Sequence, residues 1–207
     1  MAIITISRQY GSGGSDVAAR VAEALGWTLL DNALIDQVAE RLGMSREEVS
    51  RREERVPSLV ERLAEAMTLA TPEWVPAITD APPPRPEARL AEVTRRVVEE
   101  AVARGPVVVV GRGAPAMLAA RGDALHVFCY APKAVLVRRV AERLQVPAAE
   151  AERVVADTNR QREQYVKEHW GRAWGAYENY DLCVNTGTLG VEGAAGVVVD
   201  VARVRFG

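Results

Sequence analysis

The chain has 207 residues, 48% of them hydrophobic, enough for one domain with a substantial core or one domain carrying a small insert. Its 26 basic and 28 acidic residues give a net charge of −2, which excludes the basic field of a general nucleic-acid binder. Cys129 and Cys183 stand far apart with no C-x-x-C spacing, and His126 and His169 are isolated, which excludes a zinc-type cluster or a disulfide framework.

Both cysteines fall in apolar, strand-like runs, so two buried free thiols are expected. No apolar run is long enough to span a bilayer, and the N-terminus enters a strand without a charged leader pattern. A cytoplasmic location is the expectation, with no membrane and no nucleic-acid partner.

The chain begins with a β-branched run, Ile3-Ile4-Thr5-Ile6, followed by Ser7-Arg8-Gln9-Tyr10-Gly11-Ser12-Gly13-Gly14-Ser15-Asp16 and an amphipathic stretch over 17–25. This reads as strand, glycine-rich turn, helix. Glycines permit positive φ and close backbone approach. Such a loop aims N–H groups and a helix N-terminus at one point, which suits a phosphate. The alternative is a tight strand-to-helix turn with no ligand. The sequence departs from G-x-x-x-x-G-K-[ST]. With Gly13 as the second glycine, Gly14 stands where lysine belongs and Ser15 where the magnesium-binding hydroxyl belongs. Arg8 then replaces the first glycine. Lys133 and Lys167 are the only lysines and neither is near the loop. An arginine, or a lysine brought in by the fold, must supply any cation on a bound phosphate.

Gly26 stops the first helix, and 27–30 reads as a short second strand. Asp31-Asn32 caps a helix over 33–42. Asp31 either faces a substrate from the strand end or serves as a cap alone. Ser45 and Glu48 form a capping box for helical sequence over 45–70, with a break near Pro57. Residues 71–86 hold most of the prolines and predict an extended excursion, with Trp74 available to dock it.

A long amphipathic helix over 87–104 stops at Gly105-Pro106. Val107-Val108-Val109-Val110 has the composition of a parallel strand buried on both faces. It runs into Gly111-Arg112-Gly113-Ala114. An arginine at a strand's C-terminal end sits where open α/β sheets bind ligands, unless it is a solvated turn residue. Pro115 suits a first helical turn. A strand follows over 124–130, then helices over 133–144 and 148–169. These carry Arg138, Arg139, Arg153, Arg160 and Arg162, which either close over phosphates or pair with Glu142, Glu150, Glu152 and Asp157. A last strand over 180–186 and a closing helix over 190–203 complete the chain. The alternation predicts an α/β fold with a parallel sheet covered on both faces.

Four stretches together resemble the cytidylate kinase-like proteins, a branch of the P-loop nucleoside monophosphate kinases. They are Ile6 to Gly14; Asp31 with Leu34-Ile35; Val110-Gly111-Arg112-Gly113-Ala114; and Tyr180-Asp181-Leu182 with Asn185-Thr186. The resemblance implies a P-loop NTPase fold with a five-stranded parallel sheet. It implies a single domain over 1–207: a core of 1–30, 105–147 and 180–207, a monophosphate-binding helical insert and the helix following it over 31–104, and an arginine-rich lid over 148–179. It implies transfer of the ATP γ-phosphoryl group, with Mg²⁺, to a small-molecule phosphate acceptor such as CMP or dCMP. In that scheme Gly11, Ser12, Gly13, Gly14, Ser15 and Asp16 cradle the ATP phosphates, and Ser15 reaches the metal. Arg112 holds the acceptor phosphate, with Asp31 in the same substrate site. Arg8, Arg138, Arg139, Arg160 and Arg162 are the candidate catalytic cations. The chain departs from the resemblance at Gly14, which replaces the lysine, and at Val110 and Gly113, which replace the two aspartates of D-G-R-D. Two other readings stay open on that account: a kinase of a different small acceptor, and a nucleotide-binding regulator without catalysis.

Overall fold

A computed structural model describes residues 2–31, 95 and 97–207. The helices expected over 33–42 and 45–70, the proline-rich run over 71–86 and its Trp74 lie outside the described residues.

Five strands form one parallel sheet: β1 (Ile3–Arg8), β2 (Thr28–Leu30), β3 (Val107–Val110), β4 (Ala124–Tyr130) and β5 (Leu182–Asn185), in the order β2-β3-β1-β4-β5. The central strand β1 pairs Ile3 to Ile6 with Val107 to Val110 on one side, and Ile3 to Arg8 with Ala124 to Cys129 on the other. A strand buried on both faces cannot alternate polar and apolar residues. That is why β3 is four valines, all buried.

The side chains of Ile4, Ile6, Val108, Val110, Leu125, Val127, Cys129 and Val184 make one core face. It is covered by α1 (Gly14–Leu25) and by the closing helix, Thr186–Phe206. The opposite face carries Ile3, Val107, Val109 and Ala124, packed against Val98 and Val102 of the helical stretch 97–104 (α2) and against α3 (Ala114–Met117). Further along that face Phe128 meets Trp174 edge-on, with ring centroids 5.3 Å apart, and Tyr165 and Val166 join the cluster. Those last two belong to α5 (Ala148–Trp170), a single helix of 23 residues that follows α4 (Lys133–Leu144). The closing helix is α6.

Three sequence expectations need correction. Helix α1 starts at Gly14 rather than at 17, because Gly13 at φ 76° turns the chain into the helix immediately. Helix α6 starts at Thr186, and the expected start at 190 is instead a kink, with Gly190 at φ 70°, ψ 179°. Cys183 is exposed, while Cys129 is buried as expected. β5 is an edge strand, and the neighbour whose side chain turns to the core is Val184. Among the described residues no helix is long and apolar enough to cross a membrane.

Candidate functional site

The C-terminal ends of β1, β3 and β4 meet two turns. The first is the glycine-rich loop after β1. The Gln9 N–H donates to the Cys129 carbonyl at 3.0 Å, and the Gln9 side-chain carbonyl accepts from the Ala131 N–H at 3.1 Å. The loop is thereby tied to the end of β4. At Gly11, φ is +83° and a Cβ would stand 2.8 Å from the Leu136 carbonyl, so no other residue fits. Ser12 is fully buried, and its hydroxyl donates to the Gln9 carbonyl at 2.8 Å. Gly13, the N-cap of α1, has no side chain to cap the helix, and the Ser12 hydroxyl accepts only from the first N–H, that of Gly14, at 3.3 Å. The first-turn N–H groups of a helix have no intrahelical acceptor, so those beyond Gly14 are placed to meet an anion.

The loop's position depends on one polar latch. The Thr186 hydroxyl, fully buried, donates to the Ser12 carbonyl at 2.6 Å. Arg139 Nη1 donates to the same carbonyl at 3.0 Å and to the Thr186 hydroxyl at 3.2 Å, and its Nη2 reaches the Thr186 carbonyl at 3.0 Å. Asn185 Oδ1 accepts from the Gly187 N–H at 2.9 Å and holds the start of α6. Outside the loop opens a cavity of about 450 Å³. Its walls include Tyr10, Gly11, Gly13, Gly14, Ser15 and Asp16 from the loop side, and Arg8, Arg139, Arg143 and Arg162 as cations.

Helix α5 closes one side of this cavity. Asn159 Oδ1 accepts from the Tyr10 N–H at 2.8 Å, and Arg162 Nη1 donates to the Arg8 carbonyl at 2.8 Å. The guanidinium carbons of Arg143 and Arg162 lie 4.7 and 5.6 Å from the centroid of the Tyr10 ring. Cation–π contact at these distances holds the ring between two helices.

The second turn is Gly111-Arg112-Gly113, with φ of 75°, 57° and 63°. Three consecutive left-handed residues are rare, and the arginine among them costs on the order of 1 kcal/mol or more. The Trp170 ring fills the place a Gly113 side chain would take. Arg112 is only 7% exposed. It is therefore not the solvated turn arginine that the sequence also allowed. It borders a smaller cleft of about 30 Å³ with Ser7, Arg8, Arg162, Tyr165 and Trp174. Burial raises the Tyr165 hydroxyl above its ordinary range, while the nearby charge of Arg112 acts the other way. Burial likewise pushes the Cys129 thiol up to about 12, opposed by the charge of Arg8.

Of the five expected catalytic arginines, Arg8, Arg139 and Arg162 border the large cavity, and Arg8 and Arg162 also border the cleft. Arg138 and Arg160 border neither. Arg138 is exposed and 4.0 Å from Glu142, and Arg160 is exposed and 3.3 Å from Asp157. The helical period explains this: on α4, Arg139 and Arg143 share a face that Arg138 does not. Asp31 is exposed at the end of β2 and borders neither space. Gly11, Gly13, Gly14, Ser15 and Asp16 surround the cavity mouth, while Ser12 turns inward as the loop's internal brace. Sequence reasoning missed Tyr10, Arg143, Asn159, Tyr165 and the latch role of Thr186. Only Arg143 carried a signal, its i+4 spacing from Arg139. Among the described residues no group of three or more His, Cys, Asp or Glu could hold a metal ion.

A family model described as the cytidylate kinase-like family matches residues 3–188. The chain belongs to the cytidylate kinase-like family. Its parallel sheet and flanking helices have the P-loop kinase fold, and family and fold together support a nucleotide or small-molecule kinase. Among solved structures, an uncharacterized protein from Eubacterium ventriosum is similar at 20% identity with a TM-score of 0.71, over 98% of this chain and 99% of that one. A shikimate kinase from Bacteroides thetaiotaomicron is similar at 16% identity with a TM-score of 0.53, over 98% of each chain. No curated protein matches at significant similarity. In this cytidylate kinase-like chain, the fold expected from the four matching stretches stands.

Proposed function

We propose that the protein transfers the γ-phosphoryl group of ATP to a nucleoside monophosphate, CMP or dCMP. One observation carries this reading: the large cavity beside the glycine-rich loop and the cleft beside Arg112 share a wall, and that wall is Arg8 and Arg162. A donor in the large cavity and an acceptor in the cleft meet at two guanidinium groups.

The N-terminus of α1 and the Gly11 to Ser15 backbone take the donor phosphates. The exposed Ser15 hydroxyl lines the same cavity beside Asp16, which fits Mg²⁺ held mainly by phosphate oxygens. When bound, that ion neutralises charge on the donor phosphates. Arg112, buried and fixed by its turn, takes the acceptor phosphate. An acceptor oxygen forms a bond to the γ-phosphorus as the bond to the β,γ-bridging oxygen breaks, and ADP leaves. Arg8 and Arg162 stabilise the charge on the three equatorial oxygens in passage. Arg139 acts through the loop, since its contacts are with the Ser12 and Thr186 carbonyls. In this reading the stretch 31–104 supplies the acceptor-binding insert and the helix that follows it, and 148–179 the lid.

The test is ADP release by the full chain with Mg·ATP, against CMP, dCMP, UMP, AMP, GMP and non-nucleotide hydroxyl acceptors including shikimate, with a no-acceptor control. Selective stimulation by CMP or dCMP supports the proposal. Stimulation only by a hydroxyl acceptor replaces the acceptor. ATP binding with no stimulation replaces the kinase reading with a regulatory one.

A further inference from the structure

The loop departs from G-x-x-x-x-G-K-[ST] at positions 8 and 14, and the two departures compete for one space. A Cβ built at Gly14 would collide with the Cβ of Arg8, and would stand 3.1 Å from Arg8 Cγ and 3.0 Å from Cys129 Cβ. Gly14 does not have positive φ, so backbone conformation does not demand a glycine there. The neighbours do: the Arg8 stem collides outright, and Cys129 Cβ on β4 is tight. A side chain at position 8 and a side chain at position 14 exclude each other.

Arg8 uses the space that Gly14 leaves. Its stem passes over Gly14 and its guanidinium reaches Gly111, where φ is +75° and a Cβ would collide with Nη1 and come within 3.0 Å of Cζ. From there it borders both the loop cavity and the Arg112 cleft. The Arg8 carbonyl is held by Arg162 Nη1 at 2.8 Å, which fixes the residue at the end of β1. In the usual pattern the first position is a glycine and the seventh is a lysine that reaches the β- and γ-phosphates.

We infer that positions 8 and 14 have exchanged these duties, so that Arg8 is the cation for the donor β- and γ-phosphates and Gly14 is the glycine that makes room for it. This deepens the donor half of the proposal above and rests on it. An arginine in this place presents a planar fork of donors rather than a point charge. It also lies on the boundary of the two spaces, where it faces donor and acceptor at once.

The exchange makes a reciprocal prediction, read as binding of the non-hydrolysable analogue AMPPNP with Mg²⁺ and as thermal unfolding without ligand. Arg8→Gln should weaken AMPPNP binding about tenfold or more, and Arg8→Lys should restore most of the loss. Arg8→Gly should lose binding by the same measure. Gly14→Lys should lose binding and unfold at lower temperature. The double variant Arg8→Gly/Gly14→Lys rebuilds the usual pattern and should bind about tenfold more tightly than either single one. If the double variant does not fold, the contrast of Arg8→Lys with Arg8→Gln decides. Wild-type binding with an Arg8→Gln variant that binds equally well would overturn the exchange and leave the donor reading standing. A folded double variant no better than its single variants would also overturn it. A wild-type protein that does not bind AMPPNP would overturn the donor reading itself, and the exchange with it.

Discussion

Arg162 Nη1 donates to the main-chain carbonyl of Arg8 at 2.8 Å, joining the middle of α5 to the end of β1. The contact fixes one guanidinium where the two cavities meet. Arg162→Ala is therefore expected to lower kcat roughly a hundredfold, with a much smaller change in the KM for the acceptor. Arg112→Ala should do the reverse and raise the acceptor KM by about tenfold or more. Arg138→Ala and Arg160→Ala, on exposed helix faces, should leave both constants within about twofold. Steady-state kinetics with the acceptor identified by the panel checks all four.

The latch at Thr186 gives a stability prediction. Thr186→Val keeps the shape and removes the hydroxyl that donates to the Ser12 carbonyl at 2.6 Å. The site is fully buried, so no water replaces the bond. The expected cost is about 1–3 kcal/mol, read from urea unfolding. Nucleotide affinity should fall with it, because Arg139 loses one of its contacts and the loop loses its anchor.

Gly113→Ala tests the second turn. The position has φ 63° and the Trp170 ring lies where the methyl would go. The variant should lose about 1–3 kcal/mol of stability and should raise the acceptor KM by displacing Arg112. A second change, Trp170→Leu, should recover part of the stability but not the affinity.

His126 sets a pH dependence. Its ring is largely buried, with Nδ1 2.8 Å from the Thr5 hydroxyl. Burial lowers its pKa, Asp181 opposes that shift, and Arg205 and Arg172 add to it. The folded pKa lies below the unfolded value, so the stabilisation is complete above about pH 6.5 and declines as pH falls below it. Unfolding free energy should drop between pH 7 and pH 5. A His126→Asn variant should show a shallower decline over the same range.

The thiols should differ. Cys183 is exposed on the edge strand, and Cys129 is buried with its pKa pushed up to about 12. An aromatic disulfide reagent should titrate one thiol in the native protein and two after denaturation. Two equivalents in the native state would show that β4 is less enclosed than described.

Much of the architecture was legible because local pattern and burial agree. Four valines between turn residues suit an interior parallel strand, and glycines at 11 and 13 suit a turn at positive φ. The place of Arg112 at a strand end, where open α/β sheets gather ligands, was legible too, and the structure adds that it is buried there. What was not legible depends on contacts between distant segments. Nothing near Thr186 indicates that its hydroxyl braces Ser12, 174 positions earlier. Arg139 reads like Arg138 until the helix is packed, when one faces the loop and the other faces water. Cys183 looked buried because its neighbours are apolar, but an edge strand turns alternate residues outward. The absent lysine was visible as an absence. The reason for it required the distance between two side-chain positions.

Helix α5 runs unbroken for 23 residues. Along that length Asn159 grips Tyr10, Arg162 grips Arg8, and Trp170 covers Gly113. One stiff rod therefore has a grip on both turns. Anything that shifts it on binding at one turn changes the free energy of binding at the other, and thermodynamic reciprocity makes the two effects equal. In the proposed reaction, donor and acceptor are therefore expected to be linked through this helix, and the coupling would be read as a change in the affinity for one measured in the saturating presence of the other.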